Sequence, residues 1–416
     1  MLSVEEASAR ILSEIRALGL ETVALDKALG RVLGENILAT VTMPPWSNSS
    51  MDGYAVRSAD ITPVMSGTPV ALKVVATIAA GGFAPRALRR GEAMRIMTGA
   101  PVPDGADSVI RKEDTDGGGK TVHIRDARDV WKNIRPAGED FQRGDELAKR
   151  GWPVKPAVLG VLAATGRQSV RVFRRPRVAI ISSGNELVEL DEFAQVEAGR
   201  KIVSTNSHTL VALTRVAGGL PKDLGIATDT RASLQRKLSA AKRADLILTS
   251  AGVSVGDLDH TRDVFDSLGG EQKFWKVKMR PGAPLAFGML AGIPWIGMSG
   301  NPVSAMVSFE LFVRPVLRKM QGYTTFFRRP VRVRLDEEIK TAAKLTHFLR
   351  ACVTRGQDGS LGARLTGIQS SAALTSMAKA NALLIVPDTM QKVDKGAELN
   401  ALMLDQSLDE AGAFSL

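Results

Sequence analysis

The sequence predicts an α/β domain flanked by β-rich modules, and three observations carry that expectation. At 416 residues the chain exceeds what one hydrophobic core usually serves, so several domains are expected. Between Pro176 and Gly322 apolar strands alternate with amphipathic helices, the pattern of a mostly parallel sheet covered on both faces. Residues 20–150 and the chain after Arg328 show short β-rich runs separated by turn residues. Three units follow: an N-terminal helical and β-rich module of two subdomains (1–175), an α/β domain (176–322) and a small β domain (323–416).

Ser3 followed by Glu6 is a capping box, and Val4, Ala7, Ile11, Ile15 and Leu18 recur at helical spacing until Gly19. Val70–Ile78, Ala93–Met97 and Ser108–Arg111 read as strands, and the stretch between Gly151 and Gly166 as a buried helix. Ser169–Phe173 is a short strand leading into the central domain. There, strands are expected at Val178–Ile181, Leu246–Leu248, Phe274–Met279 and Pro294–Met298. Helices are expected at His208–Ala217, Ala232–Ala241 and Thr261–Leu268, with a long last one over Val303–Met320 bent at Pro315. Val331–Leu335 and Ala382–Val386 are strands of the final domain.

Composition excludes several classes. Cys352 is alone, so an internal disulfide or a thiolate metal cluster cannot form, and the four histidines show no ligand spacing. Any metal must be held by carboxylates or by the substrate, which favours Mg²⁺ over zinc. No apolar run approaches the ~20 residues of a membrane helix, and the opening residues lack a signal-peptide core; a cytoplasmic protein with no membrane partner is expected. The net charge of +11 attracts anions, but the cations are dispersed and not interleaved with aromatics. A small anionic substrate accounts for the charge without nucleic acid.

Candidate chemistry gathers in three polar loops that each follow an apolar strand and precede a helix: Ser182–Glu186, Thr249–Asp259 and Ser299–Ser304. In a parallel sheet all three lie at the carboxyl edge of the strands, where ligands bind. Each alone is an ordinary tight turn; the three together favour a site. Pro302 at a first helical position would leave the N–H groups of Val303 and Ser304 free for a phosphate. Glu186, Asp257 and Asp259 would share that edge and could seat Mg²⁺, although Asp259 alone reads equally as a helix cap. Lys276, Lys278 and Arg280 alternate, which puts three cations on one strand face facing either solvent or a polyanion. In the N-terminal module, Thr42–Arg57 and Arg95–Asp107 hold Asp52 and Thr98 on proline-stiffened loops.

Those last two segments, PPWSNSSMDGYAVR and RIMTGAPVPDGAD, resemble the signatures of the molybdopterin molybdenumtransferase family, which includes the C-terminal part of gephyrin. NIRPAGED (Asn133–Asp140), SSGNEL, GVSVGDLD, FWKVKMRPG (Phe274–Gly282) and SGNPVSA follow in the family's order, from about Val4 to Val386. The resemblance implies an elongated N-terminal module, a pterin-binding α/β domain and a C-terminal β barrel. It implies a homodimer whose site lies between the α/β domain of one subunit and the N-terminal region of the other. The implied reaction inserts molybdate into adenylated molybdopterin with release of AMP, assisted by Mg²⁺. Implied partners are the molybdopterin adenylyltransferase and molybdoenzyme apoproteins.

By motif, catalytic positions fall on Asp52, Thr98, Glu186, Asp259, Lys276 and Arg280. Substrate-binding positions fall on Asp140, Asp229, Ser254, Gly256, Lys278, Gly300, Asn301, Pro302 and Ser304. Metal-binding positions fall on Glu186, Asp257 and Asp259. The chain departs from the family pattern at Asn185 (usually Asp), Ala251 (Gly) and Ser299 (Pro), and at Ser370, Ala372 and Ala382, where glycines are usual. The competing reading is therefore a non-catalytic or weakly active paralogue that binds or delivers the cofactor.

Overall fold

A computed structural model of the chain describes residues 1–251, 258–342 and 344–409. It opens with helix α1 (Val4–Glu14), whose capping box is formed: Ser3 N–H donates to Glu6 Oε2 (2.8 Å) and Glu6 N–H to Ser3 Oγ (3.1 Å). The helix stops a turn short of Gly19, because Ile15 is already extended; Leu18 instead donates its N–H to Met320 O (2.7 Å). The expected strand Ser169–Phe173 pairs antiparallel with Leu20–Ala24 beside helix α2 (Pro156–Ala164).

The N-terminal module carries a five-stranded sheet of β1 (Gly53–Val56), β2 (Val70–Ile78), β3 (Glu92–Ile96), β4 (Ser108–Arg111) and β5 (Thr121–Ile124), in the order β4-β1-β3-β2-β5. Its core is apolar: Tyr54, Val56, Leu72, Ile110 and Val122 are buried together.

The central sheet contains β6 (Arg177–Ser183), β7 (Leu220–Ala227), β8 (Leu246–Ser250), β9 (Gly270–Lys276), β11 (Pro284–Leu290) and β12 (Ile293–Met298); the two-residue strand β10 (Met279–Arg280) lies outside it. The order is β7-β6-β8-β12-β11-β9. β7, β6, β8 and β12 run parallel; β11 runs against them, and β9, antiparallel to β11, regains their direction. Near-continuous apolar runs are what a doubly covered sheet requires, and alternate residues serve opposite faces. Val178, Ile180 and Leu248 join Ala7, Ile11 and Leu210 on one side. Ala179, Ile181 and Ile247 join Leu234, Leu238 and Phe265 on the other. The covering helices are α3 (Thr205–Val216), α4 (Arg231–Ala240), α5 (Leu258–Ser267) and α6 (Pro302–Ser308).

The long last helix is not continuous. After α6 the chain makes a π-helical turn, Phe309–Val313, and resumes as α7 (Arg314–Met320). Pro315 brings no N–H and its ring crowds the preceding turn, so the expected bend becomes a local widening of the helix. Strands β7 and β11 are absent from the sequence expectation. β7 contains Pro221, Asp223 and Gly225, all poor strand formers, and is tolerated because it lies at the sheet edge.

The C-terminal domain is a closed barrel of β13 (Val331–Leu335), β14 (Thr346–Arg355), β15 (Leu361–Leu365), β16 (Ala382–Val386) and β17 (Glu398–Met403), in the ring order β14-β15-β13-β17-β16. Strand β10 pairs with β14, Arg280 opposite His347, and ties barrel to central domain. No helix of the described residues is long and apolar enough to cross a membrane.

Candidate functional site

Because β6, β8 and β12 are parallel, the three polar loops leave the sheet at one edge and meet there. They line a cleft of about 440 Å³ with Ser183 and Glu186 from the first loop, Ser250 and Ala251 from the second, and Gly300, Asn301 and Pro302 from the third. Ser204, Thr205 and Asn206 at the start of α3 form the floor, and Ala372 of the C-terminal domain completes the wall. A second cavity of about 390 Å³, lined by Arg177, Lys222 and Arg243, lies at the opposite sheet edge and gathers no carboxylate.

The first loop does not run directly into a helix. Leu187–Val188 pairs with Ile202–Val203, and the excursion between them precedes α3, lengthening the cleft wall. Gly184 (φ 144°) lets the exposed Glu186 carboxylate fold back over it: a Cβ there would meet Oε2 at 2.5 Å and Oε1 at 2.6 Å. Asn185 and Asp229 clasp each other. Asn185 N–H donates to Asp229 Oδ2 (3.0 Å), and Asp229 N–H to Asn185 Oδ1 (3.1 Å). Asp229 follows β7, so it too sits at this edge.

Lys276 ends β9 and therefore also lies at this edge, two strands beyond β12. The single-strand expectation for the cations needs correction: the chain leaves the central sheet at Lys276 and joins the barrel at Met279–Arg280. The alternation of burial survives the switch, with Val277 and Met279 buried and Lys276, Lys278 and Arg280 exposed. Gly282 (φ 94°) then passes against α6; a Cβ there would meet Ser308 Oγ at 2.7 Å.

The expectation of a free helix N-terminus is overturned at Val303, whose N–H donates to Ser371 O (3.1 Å). Ser304 is buried behind Pro302. Residues 368–371 are held over the helix start by Arg350, a fully buried guanidinium absent from the sequence expectation. Its Nη2 donates to Ser370 O (2.9 Å) and Ile368 O (3.2 Å), and its Nε to Ser376 Oγ (3.1 Å). Burial holds its pKa below the usual arginine value. Asn206 was equally silent in the sequence. Arg350 is a single polar residue inside an apolar strand and Asn206 one of a run of polar residues (Ser204–Thr209), and only tertiary packing marks them.

The N-terminal residues form a second cluster. Asp52 Oδ1 accepts from Thr98 N–H and Thr98 Oγ1, both at 2.7 Å, and these bonds hold its pKa below the usual carboxylate value. Asp140 is exposed, and its N–H donates to Met43 O (3.1 Å) at the start of the same loop. Asp52 and Thr98 flank strands β1 and β3, whose sheet partners all lie within residues 53–124, apart from the cleft loops in the fold. Ser254, Gly256 and Asp257 lie outside the described residues, as does the side chain of Asp259, which belongs to α5. Among the described residues no group of three or more His, Cys, Asp or Glu could hold a metal, so Glu186 is the carboxylate of the cleft.

Comparison with known proteins matches each part of the chain. Residues 2–166 match the model for the MoeA N-terminal region (domain I and II), 179–319 that for a probable molybdopterin binding domain, and 332–404 that for the MoeA C-terminal region (domain IV). The chain is 38% identical to molybdopterin molybdenumtransferase 2 of Mycobacterium tuberculosis, over 96% of this chain and 98% of that one. It is 32% identical to the molybdopterin molybdenumtransferase of Staphylococcus aureus, over 98% and 97%. Its fold is similar to the crystal structure of the molybdopterin biosynthesis moeA protein from Pyrococcus horikoshii OT3, with a TM-score of 0.83, 27% identity, and coverage of 97% of this chain and 100% of that chain.

Proposed function

The chain belongs to the molybdopterin molybdenumtransferase family and inserts molybdenum during molybdenum-cofactor synthesis, and from that premise we propose that the reaction takes place in the cleft at the carboxyl edge of the central sheet. The substrates are adenylated molybdopterin and molybdate, and the products are the cofactor and AMP. The observation that carries this reading is the convergence of Glu186, the Gly300–Pro302 loop and Lys276 on one sheet edge.

The roles follow from chemistry. The pterin's own dithiolene sulfurs receive molybdenum, which suits a chain with one cysteine. Lys276, Lys278 and Arg280 present a cationic face to the oxyanions of molybdate and the leaving AMP. Glu186 is an acceptor for Mg²⁺, which needs one or two carboxylates beside substrate phosphates and would neutralise phosphoanhydride charge. Asp257 and Asp259 follow the second loop in sequence and are proposed as further ligands. Asp229 is already engaged by Asn185 and shapes the first loop. Asp140 sits at the base of the Asp52 loop and positions it.

Asp52 and Thr98 are joined to each other but stand on another module, so we assign them to the cleft of a second copy in a homodimer. A complementation assay tests both the site and the dimer. Asp52→Ala and Lys276→Ala proteins, each inactive in AMP release from adenylated molybdopterin with molybdate and Mg²⁺, are unfolded, mixed and refolded together. Random two-fold pairing returns about a quarter of wild-type activity, since half the dimers carry one intact site. No recovery would overturn the shared site, and full activity of Lys276→Ala alone would overturn the cleft assignment.

A further inference from the structure

The amide of Asn206 has a feature that loop shape does not explain. It lies in the first turn of α3, is 7% exposed and lines the cleft. Its Nδ2 donates to Ser250 Oγ (2.5 Å) and to Gly300 O (2.7 Å), joining the second loop to the third. A carbonyl oxygen can only accept, so the bond to Gly300 fixes which end of the amide is nitrogen. Asn206 Oδ1 is therefore directed elsewhere, and it is buried with no hydrogen-bond partner among the described residues. Buried acceptors are nearly always satisfied, and an exception in a binding cleft points to a donor that arrives with the ligand.

The surroundings specify that donor. The buried hydroxyls of Ser204, Ser207 and Ser182 are committed to one another: Ser204 Oγ bonds Ser207 Oγ (2.6 Å), which bonds Ser182 Oγ (3.0 Å). Among the described residues the cleft lining contains no cation, and its one charged side chain is Glu186. Molybdate and ionised phosphates offer acceptors only, so they neither satisfy Oδ1 nor find a counter-charge here. Lys276 lies two strands away on the same edge, about 10 Å by strand spacing, and Lys278 and Arg280 follow it in the chain.

We propose that Asn206 orients the substrate by accepting, through Oδ1, a hydrogen bond from a neutral N–H or O–H of the organic part of the molybdopterin nucleotide. That part then occupies the inner cleft, and the anionic groups extend toward Lys276, Lys278 and Arg280. The inference rests on the assignment of the cleft made above. The shared chemistry, a neutral donor, could come from the pterin ring or from the adenosine.

The test is calorimetric titration of the full-length protein with molybdopterin, AMP and sodium molybdate separately, for wild type, Asn206→Ala and Asn206→Gln. Asn206→Ala is expected to weaken molybdopterin or AMP at least tenfold, the affected ligand naming the donor, while molybdate affinity stays within twofold. Asn206→Gln keeps both the accepting oxygen and the N–H that Gly300 O requires, and is expected to recover part of that loss. Equal weakening of all three ligands would mark a merely structural residue and overturn the proposal. So would unchanged binding of both organic ligands, or Asn206→Gln as weak as Asn206→Ala. Where Asn206→Ala does not fold, Asn206→Gln against wild type decides: binding of the organic ligands within tenfold of wild type supports the acceptor, and its loss overturns it. Failure of wild type to bind molybdopterin would instead sink the cleft assignment itself.

Discussion

Replacing Gly184 by alanine would displace the Glu186 carboxylate without touching its chemistry. The added methyl would stand 2.5 Å from Oε2, 2.6 Å from Oε1 and 2.7 Å from Cδ, where ordinary contact begins near 3.4 Å. The carboxylate must therefore move by about 0.9 Å, the shortfall between 3.4 and 2.5 Å. Moving the end of a flexible side chain is cheap, so most of the stability cost comes from alanine at φ 144°, about 1–3 kcal/mol. A domain stable by ~5–15 kcal/mol survives that. A misplacement near 1 Å costs reaction rate up to roughly a hundredfold. The expected outcome is AMP release slowed by about ten- to a hundredfold, with a modestly lowered unfolding midpoint. A double-mutant comparison isolates the cause. In a Glu186→Ala background the same Gly184→Ala change should lower the midpoint again but leave the residual rate within twofold. An equal rate loss in both backgrounds would refute transmission through Glu186, and an unchanged rate in the single variant would refute any demand on its position.

Other changes read other parts of the fold. Ala251→Gly relieves a left-handed alanine (φ 74°) worth about 1–2 kcal/mol at the cost of about 0.5–1 kcal/mol of chain entropy, so thermal melts should show a net gain near 0.5–1 kcal/mol. Arg350→Met leaves three acceptors unpaired beneath the cleft wall and is expected to cost about 2–4 kcal/mol in urea unfolding of the barrel, together with weakened AMP binding. At Asp245, burial pushes the carboxyl up, but the two-armed bond from Arg174 (2.6 and 2.7 Å) and the Arg177 N–H outweigh it and hold the pKa below the usual carboxylate value. Its stabilisation is thus present above about pH 4 and lost as pH falls through the lower folded value, and Asp245→Asn should flatten that acid limb of a melting-temperature profile. Burial, aided by the charge of Arg280 and opposed by the bond to Ala342 O, lowers the His347 pKa; stability should decline as pH falls below about 6.5, and His347→Gln should remove that slope.

What the sequence disclosed divides along physical lines. Strands β6, β8 and β12 are apolar runs ended by polar loops, so their placement and the sheet edge they share were readable from local pattern. The capping box at Ser3 and the alternating cations were readable for the same reason, being encoded within a few residues. β7 was hidden because an edge position excuses Pro221 and Gly225, and edge status is a property of the whole sheet. The break after Lys276 was hidden because the chain changes sheets while its side chains keep alternating. Asn206 and Arg350 were hidden because their significance lies in bonds to residues 44 and 20 positions away in the chain. The occupancy of the Val303 N–H depended on a segment of another domain.

The three loop substitutions that set this chain apart from the family pattern are each absorbed by a specific contact. Asn185 accepts the Asp229 N–H through Oδ1, as a carboxylate would, without placing a second negative charge beside Asp229. Ser299 lacks the stiffness of proline, but its hydroxyl accepts from Asn301 N–H (3.3 Å), a local turn bond that restrains the same segment. Ala251 carries its methyl toward the third loop, where a Cβ on Gly300 would lie only 3.1 Å away. Alanine in the second loop therefore makes glycine at position 300 the matching choice in the third. Gly300, retained from the family motif, thus leaves room for that methyl, and its carbonyl is the one that Asn206 grips. Local compensation of this kind leaves the cleft walls where catalysis needs them, which is why these substitutions do not by themselves argue for a silent relative of the enzyme.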